Sequence, residues 1–225
     1  MWASSTVIAA SLIVLSVAAL VLTVLVFERY RRERQLCHLY WAAGLFLFFV
    51  TLVEEAVLDL GVWSQPLIQS YFILVAVLVG ILSLGSAELS LPGRWRTAYL
   101  YYIGLTSGAL VVLGFLVPIP SSVMSNGVVS GLPPTSINVL SSLIAYPAAV
   151  LLIVSSVYGA VKRHRPNLLY IAAGTLVISA AGTLYLAQLP AILYYAEFVG
   201  IVLLFLGFVK IPHLTGESVR EPRPT

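Results

Sequence analysis

Two copies of one short motif decide the fold of this chain: Leu39-Tyr40-Trp41-Ala42-Ala43-Gly44 and Leu169-Tyr170-Ile171-Ala172-Ala173-Gly174. The copies lie 130 positions apart, and the same offset aligns residues 11–46 with 141–176 without a gap. Ten of these 36 pairs are identical, including Ser11, Ala18, Ala19, Leu22 and Val24 with Ser141, Ala148, Ala149, Leu152 and Val154. Self-similarity at a fixed offset is the signature of a duplicated structural unit. The sequence therefore predicts two halves related by an internal repeat.

Composition indicates a membrane protein. Hydrophobic residues make up 60% and charged residues 9% of the 225 positions, and the mean hydropathy is +1.01. A soluble domain carries about 25% charged residues, so these values exclude that class. The single cysteine, Cys37, excludes an internal disulfide. We expect a multi-pass protein of the cell membrane, with membrane lipids as partners and no nucleic acid.

Seven apolar segments are long enough to cross a bilayer, which needs about 20 residues. They are 5–27, 38–60, 67–89, 98–118, 137–161, 168–188 and 191–209. All twelve lysines and arginines fall on one side of these spans: Arg29, Arg31, Arg32, Arg34, Arg94, Arg96, Lys162, Arg163, Arg165, Lys210, Arg220 and Arg223. Basic loops stay in the cytoplasm, so the N-terminus is expected outside and the C-terminus inside.

The spans and the repeat together predict an all-α, seven-helix bundle in a 3+1+3 arrangement. Residues 1–210 form the transmembrane domain, with repeat A at about 5–89, a linker helix at 98–118 and repeat B at about 137–209. The two triplets should superpose by rotation about an axis near the membrane normal. Residues 211–225 are polar and hold three prolines, which favours a flexible cytoplasmic tail.

Four acids occupy the outer half of the bundle, where no basic residue is available to pair with them: Glu54, Glu55, Asp59 and Glu197. A carboxylate in hydrocarbon costs a few kcal/mol at least, so such groups face the bundle interior or a wet cavity. Glu55 and Asp59 share a helix face, and Glu197 lies at a depth close to that of Glu55. Asp59 lies at the interface and is the weakest member of the group.

These acids leave two interpretations open. They are either protonated and hydrogen-bonded to nearby polar groups, or they hold a cation, a metal or an amine. Candidate partners at that depth are Gln69, Tyr71, Tyr185, Gln188, Tyr194, Tyr195 and Asn138. We place the candidate binding site at Glu54, Glu55, Glu197 and Asp59, with Tyr194, Tyr195 and Tyr71 as bonding partners. The sequence does not decide whether a metal is bound there.

Other polar, aromatic and small residues have simpler interpretations. Glu88 is expected to pair with Arg94 or Arg96 at the inner interface. Trp63, Trp95, Tyr99, Tyr101 and Tyr102 are typical of an aromatic belt. Pro147 should free the carbonyl of Leu143 within its helix. Gly104 and Gly108 permit close helix approach, and we expect packing within the monomer in preference to an oligomer contact.

The 3+1+3 arrangement with an external N-terminus resembles the microbial rhodopsins and the SWEET and PQ-loop transporters. Their functional motifs are missing: Lys162 and Lys210 are the only lysines and both are cytoplasmic, so no retinal cofactor is expected, and no Pro-Gln dipeptide is present. The pattern Trp41…Glu54-Glu55…Gly61-Val62-Trp63…Gly80-x4-Gly85-Ser86 resembles a group of prokaryotic seven-helix membrane proteins without an assigned activity. That resemblance implies a fold and no reaction.

The leading functional interpretation is a non-enzymatic membrane protein that binds or transports a small cation, a proton or a polar solute through an outward-facing acidic cavity. No HExxH, Walker or GxSxG motif points to catalysis. A rhodopsin-like sensor or scaffold that binds a lipid or other apolar ligand is the first alternative. A subunit of a larger membrane complex is the second.

Overall fold

The computed structural model describes residues 5–125, 128–129, 131–162, 167–186 and 190–209. Within these ranges the chain forms seven α-helices: α1 (Ser5–Glu33), α2 (Leu36–Asp59), α3 (Gln65–Ser90), α4 (Gly93–Leu116), α5 (Thr135–Lys162), α6 (Leu168–Leu186) and α7 (Pro190–Val209). A 3-10 turn (Ser121–Val123) and a two-residue antiparallel pairing, β1 (Met124–Ser125) with β2 (Val128–Val129), lie between α4 and α5. Each predicted span coincides with one helix. The predicted tail, 211–225, lies outside the described residues.

Five of the helices are long and apolar enough to cross a membrane: Ser11–Glu33, Leu36–Asp59, Gln65–Ser90, Gly93–Leu116 and Thr135–Lys162. The apolar stretches described in α6 and α7 are shorter, at Leu168–Ile178 and Phe198–Gly207. The structure therefore supports a helical membrane protein. The number of seven spans and their orientation stay predictions.

Six helices pack in a closed ring, and α4 lies outside it. Helix α1 contacts α2 and α7, α3 contacts α2 and α5, and α6 contacts α5 and α7. Helix α4 packs against α3 and α5. If α1–α3 are matched in order with α5–α7, the α3–α5 contact corresponds to the α7–α1 contact. This packing order is compatible with the predicted repeat, which stays a prediction.

Glycine contacts repeat between the two triplets. A side chain at Gly44 of α2 would overlap Leu82 of α3, and one at Gly174 of α6 would meet Leu204 and the backbone of α7. In the reverse direction, Gly85 of α3 lies against Trp41, and Gly207 of α7 lies against Ile171. Gly44 of α2 and Gly174 of α6 are 130 positions apart, whereas Gly85 of α3 and Gly207 of α7 are 122 positions apart. Fewer residues therefore separate the two glycines of the second triplet than the two glycines of the first. The rotation that would relate the triplets stays a prediction.

The turn between α2 and α3 brings their polar residues together. Gly61 has φ 81°, a left-handed conformation that favours glycine. The Ser64 hydroxyl accepts a hydrogen bond from the backbone N–H of Leu67, and a proline lies in the first turn of α3. Both features are typical of a helix start. The two helices are therefore antiparallel neighbours, and residues at equal distances from the turn lie at similar depth.

Helix α4 is attached to the α3–α5 contact by two tyrosines. The Tyr102 hydroxyl donates to the carbonyl of Leu143 at 2.5 Å, and the Tyr99 and Ser83 hydroxyls lie 2.8 Å apart. Helix α5 continues through Pro147, which cannot donate to the Leu143 carbonyl. The carbonyl that the proline was predicted to free is thus bound by α4. Tyr99 and Tyr102 therefore do more than form an aromatic belt, whereas Trp95 and Tyr101 are exposed as a belt requires.

The expectation that Gly104 and Gly108 pack within the monomer is wrong. A Cβ at either position would meet no atom within 4 Å in the described part of the chain. Both glycines lie on the exposed side of α4, because the helix uses its opposite side, with Ile103 and Leu110, to contact the bundle. A contact between copies through these glycines stays a prediction.

Replacing Tyr102 with Phe should lower the free energy of unfolding in detergent or lipid by about 1 kcal/mol, a typical value for an interhelical hydrogen bond in a membrane. The reason is that the Leu143 carbonyl loses its partner. The Tyr101→Phe variant is the control, because Tyr101 is 67% exposed. Equal thermal midpoints for the two variants would contradict the contact.

Replacing Gly174 with Ala should destabilise the protein, because the new methyl would lie 2.8 Å from the carbonyl oxygen of Gly200. Replacing Gly104 with Ala should be neutral or stabilising, since alanine has the higher helix propensity by about 1 kcal/mol and the site is open. Thermal unfolding followed by circular dichroism measures both. The opposite order would show that α6 and α7 do not approach as described.

Candidate proton or cation site

The site begins with two residues placed symmetrically about the α2–α3 turn. Glu54 lies five residues before the end of α2, and Ser70 lies five residues after the start of α3. The Ser70 hydroxyl is 2.6 Å from Glu54 Oε1 and also 2.9 Å from the carbonyl oxygen of Leu67. Both helices therefore contribute to one polar contact in the half of the bundle opposite the basic residues.

The Ser70 hydroxyl has two acceptors within reach but only one hydrogen atom to donate. A serine hydroxyl carries a single hydrogen, so Ser70 donates either to Glu54 or to Leu67 at one time. If it donates to Leu67, its oxygen is left as an acceptor, and Glu54 must supply a proton of its own to keep the 2.6 Å contact. A protonated Glu54 thus completes a continuous chain of bonds from the carboxyl through the hydroxyl to the backbone.

The second carboxyl oxygen of Glu54 is buried. No hydrogen-bond partner for Oε2 exists among the residues that the structure describes. A buried oxygen left without a partner costs about 1–3 kcal/mol, and more if it is charged. Glu54 Oε2 is therefore the atom at which a proton, a cation or a water molecule would relieve the largest local cost.

Glu55 is buried as well, with 7% of its surface exposed. It follows Glu54 by one residue and points about 100° away around α2. Asp59, the last residue of α2, is half-buried. Two carboxyls of the predicted group therefore lie inside the helix bundle, and the third lies at its edge.

The remaining predicted site residues are placed as follows. Tyr71 is half-buried in α3, with its ring edge-on to Phe72 at 5.7 Å. Tyr195 of α7 is 63% exposed. The side chains of Glu197 and Tyr194 lie outside the described part of the chain, and so do those of Tyr185 and Gln188. Gln69 does not serve the acids; its amide donates to the carbonyls of Val117 and Phe115 at the end of α4.

Sequence reasoning missed Ser70, whose hydroxyl is hydrogen-bonded to Glu54. The signal was present: Glu54 and Ser70 are equally far from the turn centred on residue 62, and antiparallel neighbours place such residues side by side. The lateral position of α3, which the sequence does not give, brings the short Ser70 side chain to Glu54.

The opposite end of the bundle holds ordinary ion pairs and one buried histidine. Arg96 donates to Glu88 at 2.8 Å, as predicted, and Arg29 donates to Glu33 at 2.9 Å. His38 is only 3% exposed, lies 3.8 Å from Glu33 Oε2 and meets the ring of Trp41 edge-on. Among the described residues, no three His, Cys, Asp or Glu side chains are grouped to hold a metal.

Comparison of the chain with models of protein families, with curated proteins and with solved structures finds no match. The resemblance to other seven-helix proteins therefore stays a prediction.

Replacing Ser70 with Ala should lower the free energy of unfolding by about 1 kcal/mol, because Glu54 loses its partner in a water-poor interior. Replacing Glu54 with Gln should leave stability close to that of the parent, since an amide keeps the bond to Ser70 if the carboxyl is normally protonated. Ser142→Ala, at a half-buried serine of α5, is the control. A strongly destabilised Glu54→Gln protein would instead indicate an ionised carboxylate that holds a cation.

Proposed function

We propose that this chain is a non-enzymatic, multi-pass protein of the cell membrane that binds and releases a proton at the Glu54–Ser70 pair. The observation that carries the proposal is the single Ser70 hydroxyl placed between Glu54 Oε1 and the Leu67 carbonyl. Movement of the proton, or of a small cation or polar solute with it, is the activity that such a site serves.

The proton would shift the hydrogen-bond pattern between two states. With Glu54 protonated, the carboxyl donates to Ser70 and Ser70 donates to Leu67. With Glu54 ionised, Ser70 turns its hydrogen to the carboxylate, and the buried Oε2 becomes a charged oxygen that draws in water or a cation. Binding and release of a proton therefore change whether Glu54 attracts water or a cation.

The distribution of charge supports an outward-facing site. Every lysine and arginine follows an odd-numbered span, whereas Glu54 lies near the end of α2 away from those residues. By the positive-inside rule the basic residues are cytoplasmic, which directs the Glu54 half of the bundle to the outside.

Infrared difference spectroscopy tests the proposal directly. A pH change should produce a carbonyl band of a protonated carboxyl in the parent protein, and Glu54→Gln should remove it. Ser70→Ala should move that band to higher frequency, because the acid loses its hydrogen-bond acceptor. Asp59→Asn is the matched control at the edge of α2 and should leave the band in place. A band that survives Glu54→Gln unchanged would refute the assignment.

Adding cations distinguishes a cation site from a proton site. If the acids hold a cation, thermal stability should rise with the ion concentration, because binding to the folded state alone stabilises it. Replacing Glu55 and Glu197 together with Gln should then abolish that rise. A rise of this kind, together with no carboxyl band, would replace the proton site with a cation site. The sensor and subunit interpretations stay predictions.

A further inference from the structure

A cavity with several serines in its wall lies between the two triplets, at the end of the bundle opposite Glu54. Its walls come from α2 and α3 on one side and from α5 and α6 on the other. Trp41 lies in the second turn of α2 and Ile171 in the first turn of α6, and these two residues occupy equivalent positions in the repeat. Trp41 is 13 residues from Glu54, or about 20 Å along the helix axis, so the two sites are separate.

Four serines give this cavity its chemistry: Ser86, Ser90, Ser155 and Ser156. The Ser90 and Ser155 hydroxyls donate to backbone carbonyls of their own helices. The other two belong to buried residues, 5% exposed for Ser86 and 4% for Ser156. Neither of those two hydroxyls has a hydrogen bond among the described residues. Both serines line the cavity, so their hydroxyls are available to donate to, and accept from, a polar molecule bound there.

The lining also limits the kind of ligand. No charged side chain lines the cavity among the described residues, and the rest of the wall is aromatic or aliphatic, including Trp41 and Ile171. An ion would meet no counter-charge among the described lining residues. The volume of about 60 Å³ has room for a few small groups, since one water molecule needs roughly 10–15 Å³ of such space. A mainly apolar wall with a few convergent polar groups is typical of small-molecule sites.

We propose that this cavity is a binding site for a small uncharged solute that carries hydroxyl or amide groups, held by Ser86 and Ser156 against the Trp41 ring. The proposal goes beyond the proton site and does not depend on it, because the residues, helices and end of the bundle all differ. With both sites present, the chain has a polar position in each half of the membrane.

Fluorescence quenching of Trp41 tests this site with acrylamide, a small neutral amide, as the probe. The other tryptophans, Trp2, Trp63 and Trp95, are replaced with Phe so that Trp41 alone reports. Acrylamide should quench Trp41 efficiently in protein reconstituted in detergent, and iodide should quench it several-fold less. Equal quenching by the two agents would overturn the proposal, because the site would then be open without regard to charge.

A side chain that fills the cavity should reduce the quenching of Trp41 by acrylamide. Ser156→Leu should lower the acrylamide quenching constant several-fold, whereas Val157→Leu, at the adjacent and outward-facing position, should leave it unchanged. If Ser156→Leu does not fold, the double variant Ser86→Ala, Ser156→Ala removes both hydroxyls without adding atoms, and should weaken quenching by acrylamide. Unchanged quenching in the folded filling variant or in the double variant would overturn the proposal. Glu54→Gln should leave all these values as in the parent, so failure here and failure of the proton site are distinguishable.

Discussion

A bilayer interior supplies no water, so each polar group in this bundle depends on a partner within the protein. The described structure follows that constraint in several places. Tyr102 binds the carbonyl that Pro147 leaves free, and Gln69 binds the last carbonyls of α4. Serine and threonine hydroxyls return to their own helix, as Ser16 does to Leu12 at 2.8 Å. One atom that departs from this pattern is Glu54 Oε2, where a ligand is proposed.

The two proposed sites lie at opposite ends of one interior. In the half away from the basic residues, Glu54 has one oxygen bonded to Ser70 and one buried oxygen without a described partner. In the other half, Ser86 and Ser156 place hydroxyls on a cavity between the triplets. The first position suits a proton because a carboxyl can change its charge. The second suits an uncharged solute because its described lining carries no charged side chain.

Close packing of the helices depends on glycine at matched places. Gly44 and Gly174 allow α2 and α6 to approach the third helix of their own triplets, and Gly85 and Gly207 make room for Trp41 and Ile171. Helix association in lipid relies on such close van der Waals contact, since lipid tails are as apolar as leucine. Gly104 and Gly108 have the same spacing as a packing motif yet meet no neighbour. Spacing alone does not tell which side of a helix faces the bundle.

The helices, the charge asymmetry, the Glu88–Arg96 pair and the freed Leu143 carbonyl could all be predicted from the sequence, because each follows from hydrophobic length, local spacing or proline chemistry. Three other features could not be predicted from the sequence. They are the hydrogen bond of Ser70 to Glu54, the hydrogen bond of Tyr102 to the Leu143 carbonyl, and the position of Gly104 on the exposed side of α4. These depend on the lateral order and rotation of helices that are all similarly apolar. In hydrocarbon, little in the composition of a helix fixes its neighbours, so contacts between side chains distant in sequence are decided only when the bundle packs.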